Sequence, residues 1–158
     1  MKVLNANWFL CKVRYDKVME DGNQKRVTEQ YVVDAVSFTG AETHIIERLN
    51  AYSVSPDIVE IDRCVFHEVI CDESGIGDKW YKCKININTI DERGKENKIS
   101  TYCLAQGITL EEARKAVAEV NSAMVDFTIA SVSETKILDV FKHESNWNGF
   151  DGKGGLQA

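Results

Sequence analysis

Two short stretches of the sequence combine a tryptophan with basic side chains on predicted strands. Trp8–Val13 and Trp80–Ile85 share the order Trp, aromatic, any residue, Cys, Lys, β-branched aliphatic, and they start 72 positions apart. Indole rings can stack on nucleobases, and nearby cations can follow the phosphates of a single strand. The pattern therefore predicts a nucleic-acid or ligand-binding surface on two strands. Its predicted residues are Trp8, Lys12, Arg14, Trp80, Lys82 and Lys84, with Lys25, Arg26, Lys95 and Lys98 extending it along the hairpin arms.

The same pattern has a purely structural interpretation. A duplicated core would also retain a repeated tryptophan, with lysine stems lying along the indole rings. The two copies differ, because Lys82 replaces Leu10 and Asn86 replaces Arg14. The net charge of −6 opposes non-specific attraction to nucleic acid. Binding surface and core anchor therefore stay open as alternatives at this point.

Other reactive side chains are too scattered to predict catalysis. Cys64, His67 and Cys71 come closest to zinc-ligand spacing, but Cys64 and His67 lie in a predicted strand, where positions three apart face opposite sides, so a zinc site is not expected. Cys11 and Cys83 have apolar neighbours and no repeated histidine partner that could activate a nucleophile. A glycine-rich phosphate loop is missing from the sequence. We expect a non-catalytic protein without a metal or a cofactor.

The elements that must position these residues recur in order along the chain. Each opening strand is followed by a hairpin turn, a returning strand, a helix and a long strand. Thr39 with Glu42 and Thr109 with Glu112 have the spacing of helix capping boxes. The helices are predicted to end near residue 51 and to cover about 110–124, and the long strands to cover 57–70 and 126–141.

Landmarks that recur 70–72 positions apart predict an internal duplication. The predicted fold is α+β, with two tandem ββαβ units, an antiparallel sheet and two main helices. One globular domain over 1–144 would contain repeats at about 7–71 and 79–142. Residues 145–158 are rich in glycine and predict a flexible tail. Exposed sheet edges would also permit a homo-oligomer.

Length and hydropathy predict where the protein works. The 158 residues are 44% hydrophobic, which is enough for a compact core. An apolar run approaching the ~20 residues of a membrane span is missing, and the first ten residues lack the features of a secretory signal. We therefore expect no membrane association and a cytoplasmic location, in a bacterium or in an infected host cell.

Three stretches, within residues 7–15, 33–42 and 129–140, together carry a family resemblance. They resemble an uncharacterised family of short proteins from Bacteroidetes bacteria and their phages, known as a domain of unknown function. The resemblance implies a phage or mobile-element gene, and such genes often serve DNA metabolism or interfere with host defence. It implies no catalytic residue and no cofactor.

Two functional hypotheses follow from the residues and the resemblance together. The leading hypothesis is a binding protein for single-stranded nucleic acid that uses the aromatic and basic strand surface. The alternative is a phage anti-defence protein that sequesters a small nucleotide signal or inhibits a host protein.

Overall fold

The computed structural model describes residues 2–123 and 126–143, and the predicted tail at 145–158 lies outside the described residues. The fold class is α+β, as predicted, with two helices and two mixed sheets of mostly antiparallel strands. In chain order the elements are β1 (Lys2–Asn5), β2 (Trp8–Val18), β3 (Gln24–Asp34), α1 (Phe38–Asn50), β4 (Asp57–Arg63), β5 (Glu68–Cys71), β6 (Lys79–Ile90), β7 (Glu96–Gly107), α2 (Leu110–Val120), β8 (Phe127–Glu134) and β9 (Ile137–Phe141).

The strands form two sheets that belong to two compact units. One sheet has five strands in the order β1-β5-β7-β6-β8, and the other has four strands in the order β4-β2-β3-β9. Of the described residues, 2–6, 65–123 and 126–138 belong to the first unit, and 7–64 and 139–143 belong to the second. We call them the five-stranded unit and the four-stranded unit.

The two long strands predicted over 57–70 and 126–141 are each divided in two. β4 ends at Arg63, and β5 begins at Glu68 in the other sheet. β8 ends at Glu134, and β9 begins at Ile137, again in the other sheet. Strand-forming residues are common throughout both stretches, so their composition gave no sign of the breaks. The compact units consequently differ from the predicted repeats, because each includes the last strand of the other repeat.

Each unit has the same internal strand register. Trp8 pairs with Asp34 across β2 and β3, and Trp80 pairs with Gln106 across β6 and β7. All four positions keep the 72-residue spacing. Duplication requires such a correspondence, although the duplication itself stays a prediction. Both opening strands also have a β-bulge against their other neighbour, at Lys12/Val13 and at Lys84/Ile85.

The first helix begins two residues earlier than its capping box predicted. Ser37, not Thr39, is the N-cap, and its Oγ accepts a hydrogen bond from the Gly40 N–H at 3.0 Å. Serine is as good a cap as threonine, so the spacing of Thr39 and Glu42 was not decisive. One face of α1 packs on the apolar face of β2. The buried residues of this core are Phe9, Cys11, Val13, Val33, Ala41, Ile45, Leu49 and Phe141.

The second helix begins where its capping box predicted. Thr109 is the N-cap, and its Oγ1 accepts from the Glu112 N–H at 3.2 Å. The Glu112 carboxylate accepts in return from the Ile108 N–H at 2.9 Å. Neither described helix combines the length and apolar character that a membrane crossing requires. The buried core under α2 contains Ile70, Tyr81, Cys83, Ile85, Cys103, Ala105, Ala113 and Val117.

Both tryptophans are buried at equivalent points of their strands. Trp8 is 2% exposed and Trp80 is 3% exposed. The carbonyl of Trp8 accepts from the Cys64 N–H at 2.9 Å, and the carbonyl of Trp80 accepts from the Thr135 N–H at 2.9 Å. These bonds lie where β4 and β8 end. Each tryptophan therefore has a buried ring and a backbone carbonyl that is hydrogen-bonded to the end of a neighbouring strand.

We predict that Trp8→Ala and Trp80→Ala each lower the free energy of unfolding by about 3–5 kcal/mol, because each leaves a cavity the size of an indole. Urea unfolding followed by far-ultraviolet circular dichroism measures the change. Tyr52→Ala is the control, since Tyr52 is 65% exposed and should change the free energy by about 0.5 kcal/mol or less. A near-neutral result for either tryptophan would contradict its role as a core anchor.

Candidate functional site

The six predicted binding residues divide into two buried rings and four cations on strand surfaces. Trp8 and Trp80 present no ring face to a base, because both are almost completely buried. Lys142 adds a cation near one ring, with its Nζ 5.9 Å from the centroid of Trp8. The tryptophans thus fit the core-anchor alternative, and the aromatic part of a binding surface must come from elsewhere.

Lys12 lies on the outward face of the four-stranded sheet beside carboxylates of β4. Its Nζ is 3.3 Å from Glu60 Oε1. Glu60 and Asp62 follow each other on the same face of β4, and a hydrogen bond between them raises the pKa of Asp62 and lowers that of Glu60. The positive charge of Lys12 is therefore offset by local negative charge.

The remaining cations of this face have partners as well. Arg14 Nε donates to Thr28 Oγ1 at 3.2 Å. Arg26 forms ion pairs with Asp16, at 3.4 Å, and with Asp57. Hydrogen bonds to Asp57 and Asp16 hold the pKa of Arg26 above its usual value. A phosphate would have to compete with carboxylates for these cations, so the face of the four-stranded unit does not favour a polyanion.

The equivalent face of the five-stranded unit has a different composition. Lys82 pairs with Ser133 of β8, and Lys84 pairs with Ser131 of β8 and Tyr102 of β7. Directly paired residues share one face of a sheet. The set, which we call the lysine face, consists of Lys82, Lys84 and Asn86 of β6, Lys98, Ser100 and Tyr102 of β7, and Ser131 and Ser133 of β8.

Three lysines of the lysine face have no acidic partner in the part of the chain that the structure describes. Lys82, Lys84 and Lys98 form no ion pair with any described carboxylate. Acids do lie nearby along the strands. Glu96 is two positions from Lys98 on the same face of β7, Asp126 accepts a hydrogen bond from Asn88, and Glu134 at the end of β8 forms an ion pair with Lys79. The lysine face therefore has a local positive charge although the chain as a whole is acidic.

Tyr102 supplies the accessible aromatic ring that the tryptophans do not. Its side chain is partly exposed, and the Nζ of Lys82 is 5.3 Å from its ring centroid. Analysis of the sequence missed Tyr102 because it considered only the opening strands. The hairpin register could have revealed it, since a turn at Asp91–Gly94 places Tyr102 directly opposite Lys84.

The cysteines of the opening strands are buried, as predicted. Cys11 and Cys83 are both 0% exposed and belong to the two cores. Burial raises the pKa of the Cys11 thiol to about 12, so it stays protonated and is a poor nucleophile at neutral pH. Within residues 2–123 and 126–143, no group of three or more His, Cys, Asp or Glu side chains could hold a metal ion.

A second polar cluster lies in the four-stranded unit at the end of β3. Asp34 is 1% exposed and His44 of α1 is 4% exposed. His44 Nδ1 is 2.9 Å from the Asp34 carbonyl oxygen and 3.3 Å from Asp34 Oδ1. The Asp34 carboxylate also accepts from the His143 N–H at 2.7 Å and lies 4.0 Å from Lys142 Nζ. Nothing in the spacing of these residues along the chain indicated the cluster.

One interaction of this cluster, a side-chain oxygen that accepts a hydrogen bond from a backbone N–H, occurs in both units. Gln106 Oε1 accepts from the Asp72 N–H at 2.8 Å, as Asp34 Oδ1 does from the His143 N–H. Gln106 follows Asp34 by 72 positions and ends the equivalent strand. An oxygen at this position therefore ties down the backbone just beyond β5 in one unit and β9 in the other. The contact of His44 with Asp34 occurs only in the four-stranded unit and is separate from this backbone hydrogen bond.

We predict that His44 makes the protein less stable as the solution becomes acidic. Burial is the main reason that the pKa of His44 lies below its ordinary value of 6.5, with nearby His143 and Arg48 acting in the same direction and Asp34 opposing them. At a pH between the pKa of folded His44 and 6.5, the unfolded chain binds more protons than the folded chain. The free energy of unfolding therefore decreases as the pH is lowered, by at most about 1.4 kcal/mol per pH unit.

Urea unfolding of the native protein and of His44→Gln between pH 8 and pH 5 tests this dependence. The substitution should flatten the decline below the ordinary histidine pKa, because the side chain at position 44 then no longer takes up a proton on unfolding. Parallel curves for the native protein and His44→Gln would show that His44 does not cause the decline.

Comparison with protein-family models matches residues 7–143 to the family described as Domain of unknown function (DUF4494). No curated protein and no solved structure gives a match to the chain. The expected relation to an uncharacterised family is thereby confirmed, whereas an origin in Bacteroidetes or their phages stays a prediction. Because the match extends over most of the sequence, the chain belongs to the DUF4494 family of domains of unknown function.

Proposed function

We propose that this protein binds single-stranded nucleic acid without catalysis, through the lysine face of the five-stranded unit. One observation carries the proposal, namely three lysines without acidic partners on the same sheet face as a partly exposed tyrosine. A positively charged surface with an aromatic ring is the combination that binds a single strand without strong sequence preference.

The spacing of the lysines suits an extended polymer. Lys82 and Lys84 are two positions apart on one strand and hence about 7 Å apart along it. Lys98 lies on the neighbouring strand, opposite Asn88, so the cations continue along the hairpin instead of forming a single point. Ser100, Ser131 and Ser133 add hydroxyl groups that can donate hydrogen bonds to phosphate oxygens.

The acidic net charge sets a limit on the interaction. With a charge of −6, the rest of the surface repels nucleic acid, so attraction is confined to the lysine face and should weaken steeply with salt. Three phosphate contacts to a single strand predict a slope of about −2 when the logarithm of the association constant is plotted against the logarithm of salt concentration.

We predict that Lys84→Ala weakens binding of a fluorescein-labelled single-stranded oligonucleotide and makes the salt slope shallower by about 0.7, because one phosphate contact is lost. Fluorescence anisotropy over a salt series measures both quantities. Lys12→Ala is the matched control, since Lys12 occupies the equivalent strand position but is paired with Glu60. Equal effects of the two substitutions, or oligonucleotide binding that salt does not change, would contradict the proposal.

Tyr102 provides a test that does not depend on charge. Tyr102→Leu keeps an apolar side chain but removes the ring, so we expect it to cost about 1–3 kcal/mol of binding free energy with the salt slope unchanged. The same anisotropy titration measures it, and urea unfolding confirms that the variant is folded. Full affinity in a folded Tyr102→Leu protein would exclude stacking at this position.

Fewer observations support the alternative function, an anti-defence protein that sequesters a small nucleotide signal or inhibits a host protein. The two described pockets, at Asp34/His44 and at Asp72/Gln106, each include two or more acidic side chains, which repel the phosphates of a nucleotide signal. Inhibition of a host protein, a phage origin and assembly into a homo-oligomer stay predictions. A thermal-shift series with cyclic nucleotides separates the alternative, since tight sequestration would raise the melting temperature without strong salt dependence.

A further inference from the structure

We propose that the pocket beside α1 in the four-stranded unit binds a small organic cation of the amine or guanidinium class. The pocket is independent of the lysine face, so its occupancy does not depend on nucleic-acid binding. Its volume of about 370 Å³ lies within the range of small-molecule sites. Asp34 at the end of β3 and the next two residues form one wall, the helix α1 forms another, and His143 also lines the pocket.

The helix contributes polar groups along one stripe. Thr43, His44 and Glu47 line the pocket at positions i, i+1 and i+4, and Gly40, one turn earlier, leaves the space beside them without a side chain. Residues three or four apart on a helix lie close together on its surface. Thr43, His44 and Glu47 can therefore contact a single ligand.

His44 is the buried member of this stripe and has a ring nitrogen to spare. Nδ1 is used by the backbone carbonyl and carboxylate of Asp34, which orients the ring and leaves Nε2 as the acceptor of the neutral tautomer. Among residues 2–123 and 126–143, no hydrogen-bond partner is found for Nε2. A buried acceptor without a partner costs free energy that a donor from a ligand would recover.

The charges around the pocket indicate the sign of the ligand. The Glu47 carboxylate forms no ion pair with a described residue, so it carries the negative charge of the pocket. The Asp34 carboxylate, behind His44, is offset by Lys142, whose Nζ is 4.0 Å away. Burial keeps the pKa of His44 low, so the imidazole is uncharged at neutral pH. Acceptors and negative charge favour a cation that donates several hydrogen bonds, such as an ammonium or a guanidinium group, and disfavour phosphate.

The equivalent groove of the five-stranded unit shows that these residues are not required by the fold. That groove is lined by Gln106, Lys115, Ala116 and Glu119, which follow Asp34, Thr43, His44 and Glu47 by 72 positions. Gln106 still ties the end of β5, as Asp34 ties the chain after β9. Only the four-stranded unit adds the histidine, and it has Thr43 where the other groove has Lys115. The two pockets therefore differ in the side chains that a ligand would contact.

Imidazole NMR of the full chain with agmatine as the probe tests the proposal. The chain has three histidines, so the ring nitrogens of His44 can be assigned by comparison with His44→Gln. We expect a saturable shift of the His44 Nε2 resonance at agmatine concentrations up to about 10 mM, a range suited to a weak small ligand. Inorganic phosphate and 1-pentanol should cause no saturable shift.

Matched variants identify the group that holds the cation. Glu47→Gln should weaken agmatine binding about tenfold, because a charge-assisted hydrogen bond is lost. Glu119→Gln, the corresponding change in the other unit, should leave the affinity unchanged. An unaltered His44 spectrum in the Glu47→Gln protein without agmatine shows that the pocket is intact. Lack of saturation, equal effects of the two variants, or an equal response to phosphate would overturn the proposal.

Discussion

The burial of one face of each opening strand is the constraint on which the rest of the structure depends. β2 and β6 each lie between two antiparallel neighbours, and alternate side chains from Phe9 to Val13 and from Tyr81 to Ile85 pack under a helix with 0–3% exposure. A strand has a period of two, so a shift of one residue would bring lysines into the core. Burial of one face therefore decides which cations face outward.

Equivalent outward faces have acquired different electrostatics through their neighbouring strands. In the four-stranded unit, β4 places Glu60 and Asp62 beside the cations of β2. In the five-stranded unit, β8 places Ser131 and Ser133 at the corresponding points. Lys12 is consequently paired with Glu60, whereas the equivalent lysine of the other unit, Lys84, has no acidic partner among the described residues. Whether a lysine can bind a polyanion is decided by a strand that is distant in sequence.

A similar divergence affects the ends of the sheets. A side-chain oxygen at Asp34 holds the backbone just beyond β9, and one at Gln106 holds the backbone just beyond β5, so either residue type meets that requirement. A carboxylate can in addition orient a histidine, whereas the glutamine side chain is used to bond the backbone at Asp72 and Gly77. The polar residue with a structural role in both units thus has an additional partner, His44, in only one of them.

The sequence by itself determined the local features of this protein. Period-two alternation located β2, β3, β6 and β7, the capping box placed the start of α2 at Thr109, and the repeated spacing paired the two tryptophans. These features depend on residues close together in the chain. Where two caps competed, as at Ser37 and Thr39, local spacing was insufficient and the helix start was misplaced by two residues.

Only the tertiary structure decided which residues could act together. The division of each long strand between two sheets depends on pairing with distant strands, which composition does not encode locally. The burial of Trp8 and Trp80, the exposure of Tyr102 beside Lys82, and the approach of His44 to Asp34 also arise from such pairing. A side chain's accessibility and charge environment are properties of its neighbours in space, and these come from segments far apart in the chain.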